Sequence, residues 1–375
     1  VPSTKASPID WHYARPELAQ TYLTSVTQGI MTRMALLGVR RVGKTEFLLR
    51  DFCPVALDNG YLPIYMNLWS EPEQPHLTVL QALQSTLAAE GTDKIKQVLS
   101  TEVRKLELGN SLLGKVGMEF AGSAEKASSQ ELLTIGTCIA ELVEAPKLTP
   151  VLVIDEVQHL AENEAFLPLQ SALRTAFDTA GRELAVVYAG SSRNGIRAMF
   201  SDSNKPFYNS AYMAEFPVLG REFTDHCCQI LRERFNLHYD PLEVYDVFRQ
   251  RFDDSPFWMT KLIQHLLVHQ CSVQEAVEVV RDQLALDGDF MGIAKALNKT
   301  DKTILLLIKA RAGKLYSDQT QADVKARFGL TLTASKINAS LKKLQRHQLI
   351  TKSGRSDYLI ENAGFADFLQ EEVNL

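Results

Sequence analysis

Residues 38–45 read Gly-Val-Arg-Arg-Val-Gly-Lys-Thr, an instance of the pattern G-x-x-x-x-G-K-[ST]. The octapeptide follows the apolar run Met34-Ala35-Leu36-Leu37 and leads into Glu46-Phe47-Leu48-Leu49-Arg50, which has helical character. That strand–loop–helix context constrains the chain more than any other feature, because residue type nearly fixes the chemistry. Gly38 and Gly43 let the backbone turn tightly, so that the N–H groups through Val39, Arg40, Arg41 and Val42 can face phosphate oxygens. The positive end of the new helix adds to the same anion site. Lys44 has the reach for β- and γ-phosphates, and the Thr45 hydroxyl suits Mg²⁺. Glu46 completes the candidate nucleotide contacts on the loop and its helix. The Arg40 and Arg41 side chains occupy variable positions and are expected to point outward to solvent.

A second element points the same way. Residues 151–160 read Val-Leu-Val-Ile-Asp-Glu-Val-Gln-His-Leu, a short β-branched run ending in acid. A buried parallel strand looks like this when it delivers a carboxylate to the end of a sheet. Asp155 would hold Mg²⁺ together with Thr45, and Glu156 stands where a carboxylate polarises an attacking water. His159 reads as a helix-start residue rather than a catalyst.

A length of 375 residues allows two or three domains with a well-buried core. At 45% hydrophobic and 23% charged residues, the composition is that of a soluble globular protein. No apolar stretch reaches the roughly eighteen residues that span a bilayer. Val1–Pro8 lacks the basic-then-apolar layout of a secretory signal and reads as a leader. The five cysteines have no metal-ligand spacing and fit a reducing cytoplasm, with Cys227-Cys228 as two ordinary helix thiols. The net charge of −5 hides an asymmetry: residues 299–360 carry 13 Lys/Arg against 4 Asp/Glu. A basic segment on an otherwise acidic chain suggests a polyanion site.

Hydropathy patterning divides the chain into a leader and lead-in helix (1–30), an α/β core (31–220), a helical region (221–295) and a C-terminal unit (296–375). Strands are expected near 31–37, 62–68, 151–155, 184–189 and 211–218, with helices between them. That alternation implies a parallel sheet with ligand at the carboxyl ends of its strands. Within an insertion at about 91–128, the run Val103–Phe120 reads as a β-hairpin. Beyond residue 296, three helices and a pair of short strands about Ser353-Gly354 follow the winged-helix plan. In the third helix Ile337, Leu341 and Leu344 face inward. Lys336, Ser340, Lys343 and Arg346 are expected to face a DNA groove, with Lys352 and Arg355 on the wing near phosphates.

Two constellations have open readings. Gly190-Ser191-Ser192-Arg193 either senses the γ-phosphate, with Arg193 neutralising developing charge, or is a polar loop with a surface ion pair. Ser255-Pro256-Phe257-Trp258 opens a helix and either covers an adenine ring or packs in the core.

The loop octapeptide, Leu-Val-Ile-Asp-Glu-Val-Gln-His-Leu and Tyr-Ala-Gly-Ser-Ser-Arg, followed by a winged helix, resemble the prokaryotic archaeal-type P-loop ATPases of the AAA+/STAND branch. The resemblance covers about residues 10–370. It implies a five-stranded parallel sheet in which the strand ending near Gly190 lies between the phosphate-loop and Asp155 strands. It also implies that Ser191 and Arg193 stand beside the γ-phosphate, and that Pro256 in a helical lid contacts adenine. Expected ligands are ATP or ADP with Mg²⁺, and the expected activity is ATP hydrolysis coupled to movement of the winged helix. The favoured partner is double-stranded DNA. The alternative is a slow nucleotide-loaded switch whose winged helix packs on protein, on its own core or in a homo-oligomer. Two departures from the family stand out. Its N-terminal Gly-Arg-x-x-Glu box is represented only by Ala14-Arg15-Pro16-Glu17-Leu18, and Arg221 and Arg232 are the nearest candidates for an arginine finger.

Overall fold

A computed structural model describes residues 9–89, 92–112, 124–145, 148–287, 290–310, 315–347, 349–352, 358–361, 365–366 and 368–369. Five strands, β1 (Arg33–Leu37), β2 (Tyr61–Asn67), β3 (Thr149–Asp155), β4 (Ala185–Ala189) and β5 (Tyr212–Glu215), form one sheet in the order β2-β3-β4-β1-β5. Every pairing is parallel, with Met34 opposite Val187 and Asn67 opposite Asp155. β4 thus separates the phosphate-loop strand from the Asp155 strand, the order that the resemblance implied.

Both faces of the sheet are covered, which is why its central strands read as unbroken apolar runs. Side chains alternate between faces: Ala35, Leu37, Ile154 and Tyr188 join one core, and Met34, Leu36, Val153 and Val187 the other. The lead-in helix is Pro16–Thr27, shorter than the sequence implied, because Pro16 sets its first turn and residues 9–15 carry no helix. The helix after the phosphate loop continues to Asp58 through a π-turn over Leu48–Phe52.

The expected hairpin in the insertion is not formed over its first half. Thr92–Leu112 is a single helix, and Ile95 and Leu99, one turn apart, pack into the second core. That i, i+4 pair is a helical signal that outweighs the short alternating run at 103–107. The second half of the hairpin, residues 113–123, lies outside the described residues.

Helices Arg221–Phe235, Pro241–Arg251, Pro256–His269, Val273–Asp287 and Phe290–Ala296 follow the sheet. Phe223, Leu231, Phe248, Trp258 and Leu262 form the core of the first four, which also buries the free thiols of Cys227 and Cys228, while Phe290 of the fifth packs into the C-terminal core. Burial raises both thiols, that of Cys228 to about 11, so neither is a nucleophile at neutral pH.

Helices Lys299–Lys309, Asp318–Phe328 and Ala334–Arg346 then lead into an antiparallel pair, β6 (Ile350–Lys352) and β7 (Tyr358–Ile360). Ile337, Leu341 and Leu344 are buried as expected. Two of the expected groove-facing residues are not. Ser340 is buried and donates to Asp301 Oδ1 at 2.7 Å, while Lys343 Nζ donates to Asp301 Oδ2 at 3.0 Å and to the Ala296 carbonyl at 2.7 Å. The reason is geometric: Ser340 lies three residues after Ile337 and four before Leu344, inside the apolar stripe. Lys336, Arg346 and Lys352 are exposed, and Arg355 lies outside the described residues. Among the described residues no helix is long and apolar enough to cross a membrane.

Candidate functional site

The phosphate loop leaves the buried end of β1 and turns through Gly43, whose φ of 84° is left-handed and favours glycine. Lys44 opens the following helix and is 6% exposed. Its Nζ donates to the carbonyls of Gly38 at 2.7 Å and Val39 at 2.8 Å, inside the curve of the loop. Burial lowers the Lys44 pKa to about 8, against the pull of Glu156 and Asp155.

The decisive contact joins two segments 110 residues apart in sequence. Thr45 Oγ1 donates to Asp155 Oδ2 at 2.6 Å. The Tyr65 hydroxyl on β2 donates to the same oxygen at 3.1 Å, and the Glu156 amide donates to Oδ1 at 2.9 Å. Burial and the neighbouring Glu156 push Asp155 up to about 6, while Thr45, the Glu156 amide and Lys44 work against the rise. A hydroxyl and a carboxylate within hydrogen-bond distance are hard oxygen donors of the kind Mg²⁺ takes. Among the described residues no cluster of three or more His, Cys, Asp or Glu could hold a metal. The Thr45 hydroxyl and the Asp155 carboxylate fit a cation that draws its remaining ligands from phosphate and water, as Mg²⁺ does.

Glu156 adopts a left-handed backbone conformation (φ 54°), which turns its side chain toward the end of β4. There Oε2 accepts from Ser191 Oγ at 2.8 Å and from Gln158 Nε2. Gln158 is 1% exposed and fits because two glycines leave it room. A Cβ on Gly190 would come within 2.0 Å of its Oε1, and one on Gly195 within 2.7 Å of its Cβ. Sequence reasoning brought Glu156 and Ser191 to one place but gave Gln158 no part. Arg193 starts the helix Arg193–Ser201 and pairs with Glu215 Oε2 at 3.0 Å, so its strongest contact is an ion pair on β5.

The helical region closes on the loop from the other side. Ser255 Oγ donates to the Arg41 carbonyl at 3.1 Å, and Pro256 Cγ would lie 3.6 Å from a Cβ on Gly43. The Arg41 guanidinium covers the rings of Phe257 and Trp258 at 4.2 and 4.9 Å, and that of Arg40 covers Trp69 at 5.7 Å. Both arginines are exposed, as the sequence implied, yet each rests on an aromatic face.

Two residues of the N-terminal segment also reach the loop or the helix that follows it, and neither was given a role from sequence. His12 sits between Glu46 (Nδ1, 3.1 Å) and Asp51 (Nε2, 2.9 Å). Glu46 is thus tied to His12. The Arg15 guanidinium lies between the rings of Phe47 and Phe216 at 4.9 and 4.8 Å, and Nη2 reaches the Gly43 carbonyl at 3.5 Å. Its Nε and Nη1 are buried without a hydrogen-bond partner. The only sequence signal was the imperfect box Ala14–Leu18. Arg221 forms an ion pair within its own helix with Asp225, at 3.5 Å.

No protein-family model matches the chain, and no curated protein matches it. Among solved structures it is similar to the Walker-type ATPase PABY2304 of Pyrococcus abyssi, with a TM-score of 0.59, 18% identity and 95% of each chain covered. It is also similar to the ORC2 protein of Aeropyrum pernix in its ADP form, with a TM-score of 0.52, 16% identity, and 97% of this chain and 95% of that one covered. At these identities the likeness is one of fold: the chain has the α/β fold of a P-loop ATPase, followed by a helical domain.

Proposed function

We propose that this protein is a Mg²⁺-dependent ATP-binding and ATP-hydrolysing enzyme of the AAA+/STAND type, whose nucleotide state sets the position of its C-terminal winged-helix unit. The contact between Thr45 and Asp155 carries the reading, because it brings the loop and the acidic strand end close enough to share one cation. Lys44 and the loop amides would hold the phosphates, and Thr45 and Asp155 the metal. Bound Mg²⁺ supplies charge neutralisation on the phosphate oxygens. Glu156, held by Ser191 and Gln158, is the base for the attacking water once those bonds loosen.

Adenine as the base is supported by the family resemblance, in which a proline opening a lid helix contacts adenine, and by Pro256 standing against Gly43 of the loop. The ADP form of the Aeropyrum pernix protein, similar in fold, agrees with a nucleotide ligand. Titration of a fluorescent ATP analogue onto wild type and Lys44→Ala tests the assignment. Affinity is expected to fall at least tenfold in the variant, and equal affinities would remove Lys44 from the phosphate site.

A specific observation favours packing on the chain's own core over DNA as the resting role of the C-terminal unit. Its strand β6 is hydrogen-bonded to the helix Arg193–Ser201, and Ser340 and Lys343 serve its interior. Lys336, Arg346 and Lys352 remain available to a duplex. Affinity for DNA that falls steeply with salt would restore the DNA-binding reading.

A further inference from the structure

Arg41 is held in a backbone conformation that a side chain resists. It lies within the phosphate loop at a φ of 66°, in the left-handed region that Gly43 also occupies. Glycine enters that region freely, whereas a side chain there crowds the following carbonyl. A strained residue persists where its surroundings over-determine it, and such strain gathers at ligand clamps. For Arg41 the helical region supplies those surroundings.

Ser255 is the N-cap residue of the helix Pro256–His269, a position where a serine hydroxyl ordinarily accepts from an amide of its own helix. Here the hydroxyl makes no such bond. Ser255 is 6% exposed and donates instead to the Arg41 carbonyl at 3.1 Å, 214 residues earlier in the chain. Ser192, Asn298, Ser317 and Thr333, in the same position on their helices, all keep the cap. The turn that carries Ser255 is itself fixed. Asp253 and Asp254 are left-handed, the Asp254 amide donates to the Phe248 carbonyl at 3.1 Å, and the Ser255 amide donates to that of Phe252 at 3.0 Å. The second and third residues of the helix, Phe257 and Trp258, lie under the Arg41 guanidinium at 4.2 and 4.9 Å. One helix start thus grips both the backbone and the side chain of a single loop residue.

The peptide after Arg41 is trans, so its C=O and N–H point in opposite directions. A carbonyl held toward Ser255 therefore fixes which way the Val42 N–H faces, and that amide is one of those assigned to phosphate. We propose that Arg41 is a positioning residue for the phosphate loop: its left-handed backbone aims the Val42 amide at phosphate, and Ser255, Phe257 and Trp258 brace that conformation. The inference rests on the ATP-binding reading above and deepens it, by naming what shapes the loop. In this role the guanidinium serves the two rings and not a phosphate oxygen.

The experiment measures affinity of the full chain, with Mg²⁺, for a non-hydrolysable ATP analogue and for inorganic tripolyphosphate. It compares wild type with Arg41→Ala, Arg41→Gly and Ser255→Ala. Arg41→Ala keeps the backbone strain and loses the stack, and is expected to weaken both ligands by the same factor, about five- to tenfold. Ser255→Ala is expected to weaken both about threefold or more. Arg41→Gly also lacks the guanidinium, yet should bind both ligands about fivefold more tightly than Arg41→Ala, because glycine needs no brace at this φ. Should Ser255→Ala fold poorly, the two Arg41 variants carry the test. Equal losses in Arg41→Ala and Arg41→Gly would make the guanidinium itself the phosphate contact and overturn the positioning role. Wild-type affinity in Arg41→Ala, or a loss confined to the ATP analogue, overturns it as well and leaves the ATP-binding reading standing. Absence of binding in wild type overturns that reading, and the positioning role with it.

Discussion

His12 is held between two carboxylates on the helix that follows the phosphate loop, and its ionisation ties the N-terminal segment to the nucleotide site. Burial alone would lower its pKa, but hydrogen bonds to Asp51 and Glu46 raise it to about 9. The folded value lies above the unfolded value near 6.5. The contribution is therefore fully present below about pH 6.5 and is lost as pH rises through about 9. Thermal melts between pH 6 and 10 should show a loss of about 1–3 kcal/mol over this window, and His12→Gln should flatten that slope. An identical slope in the variant would mean that His12 is neutral in the fold. At this scale, Lys44, Thr45 and Asp155 were legible because each stands in a short segment whose residue types fix its chemistry. His12, Arg15 and Gln158 were not, because each gains its part from a neighbour distant in sequence or from room left by Gly190 and Gly195. The spacing of a motif does not report such approaches.

At the scale of elements, the sheet was legible and the surfaces of helices were less so. Apolar runs ending in glycine or acid marked β1, β3 and β4, since burial on both faces leaves little choice of residue. The third helix of the C-terminal unit shows the limit. Lysine and serine near an apolar stripe read as solvent-facing, yet Ser340 donates a hydrogen bond to Asp301 and Lys343 neutralises it, and Asp301 caps the Lys299–Lys309 helix through Asn298 and is 2% exposed. Burial would raise the Asp301 pKa, but the bonds from Ser340 and Lys343 and the Asn298 amide hold it below the usual carboxylate range. Asp301→Ala removes the acceptor of the buried Ser340 hydroxyl and of the Asn298 amide and one of the two acceptors of Lys343, and is expected to cost about 1–3 kcal/mol, read as a lower urea midpoint. A cost below about 0.5 kcal/mol, typical of a surface change, would return Ser340 and Lys343 to the candidate DNA contacts. The Thr92–Leu112 helix was missed for a related reason: a short alternating run was weighed above a longer helical repeat.

Across the whole molecule, three segments far apart in sequence converge on the loop at 38–45 and on the helix that follows β4. The N-terminal segment brings Arg15 to Gly43, the helical region brings Ser255 and Pro256 against Arg41 and Gly43, and the C-terminal unit lays β6 on the Arg193–Ser201 helix. The fold class and strand order were readable from the alternation of elements and the family resemblance. The docking of the C-terminal unit was not, since nothing local around Ile350 marks a partner 156 residues earlier. Such convergence suits a protein in which the contents of one pocket set the positions of the parts around it. The most direct test is phosphate release at saturating ATP and Mg²⁺ from wild type and Glu156→Gln, with ATP binding measured on the same samples. Wild type should turn over ATP while Glu156→Gln binds it with similar affinity and releases phosphate at least 100-fold more slowly. Equal rates in the two proteins, or a wild type that binds no ATP, would contradict a hydrolytic site built from the loop at 38–45 and the acids at 155–156.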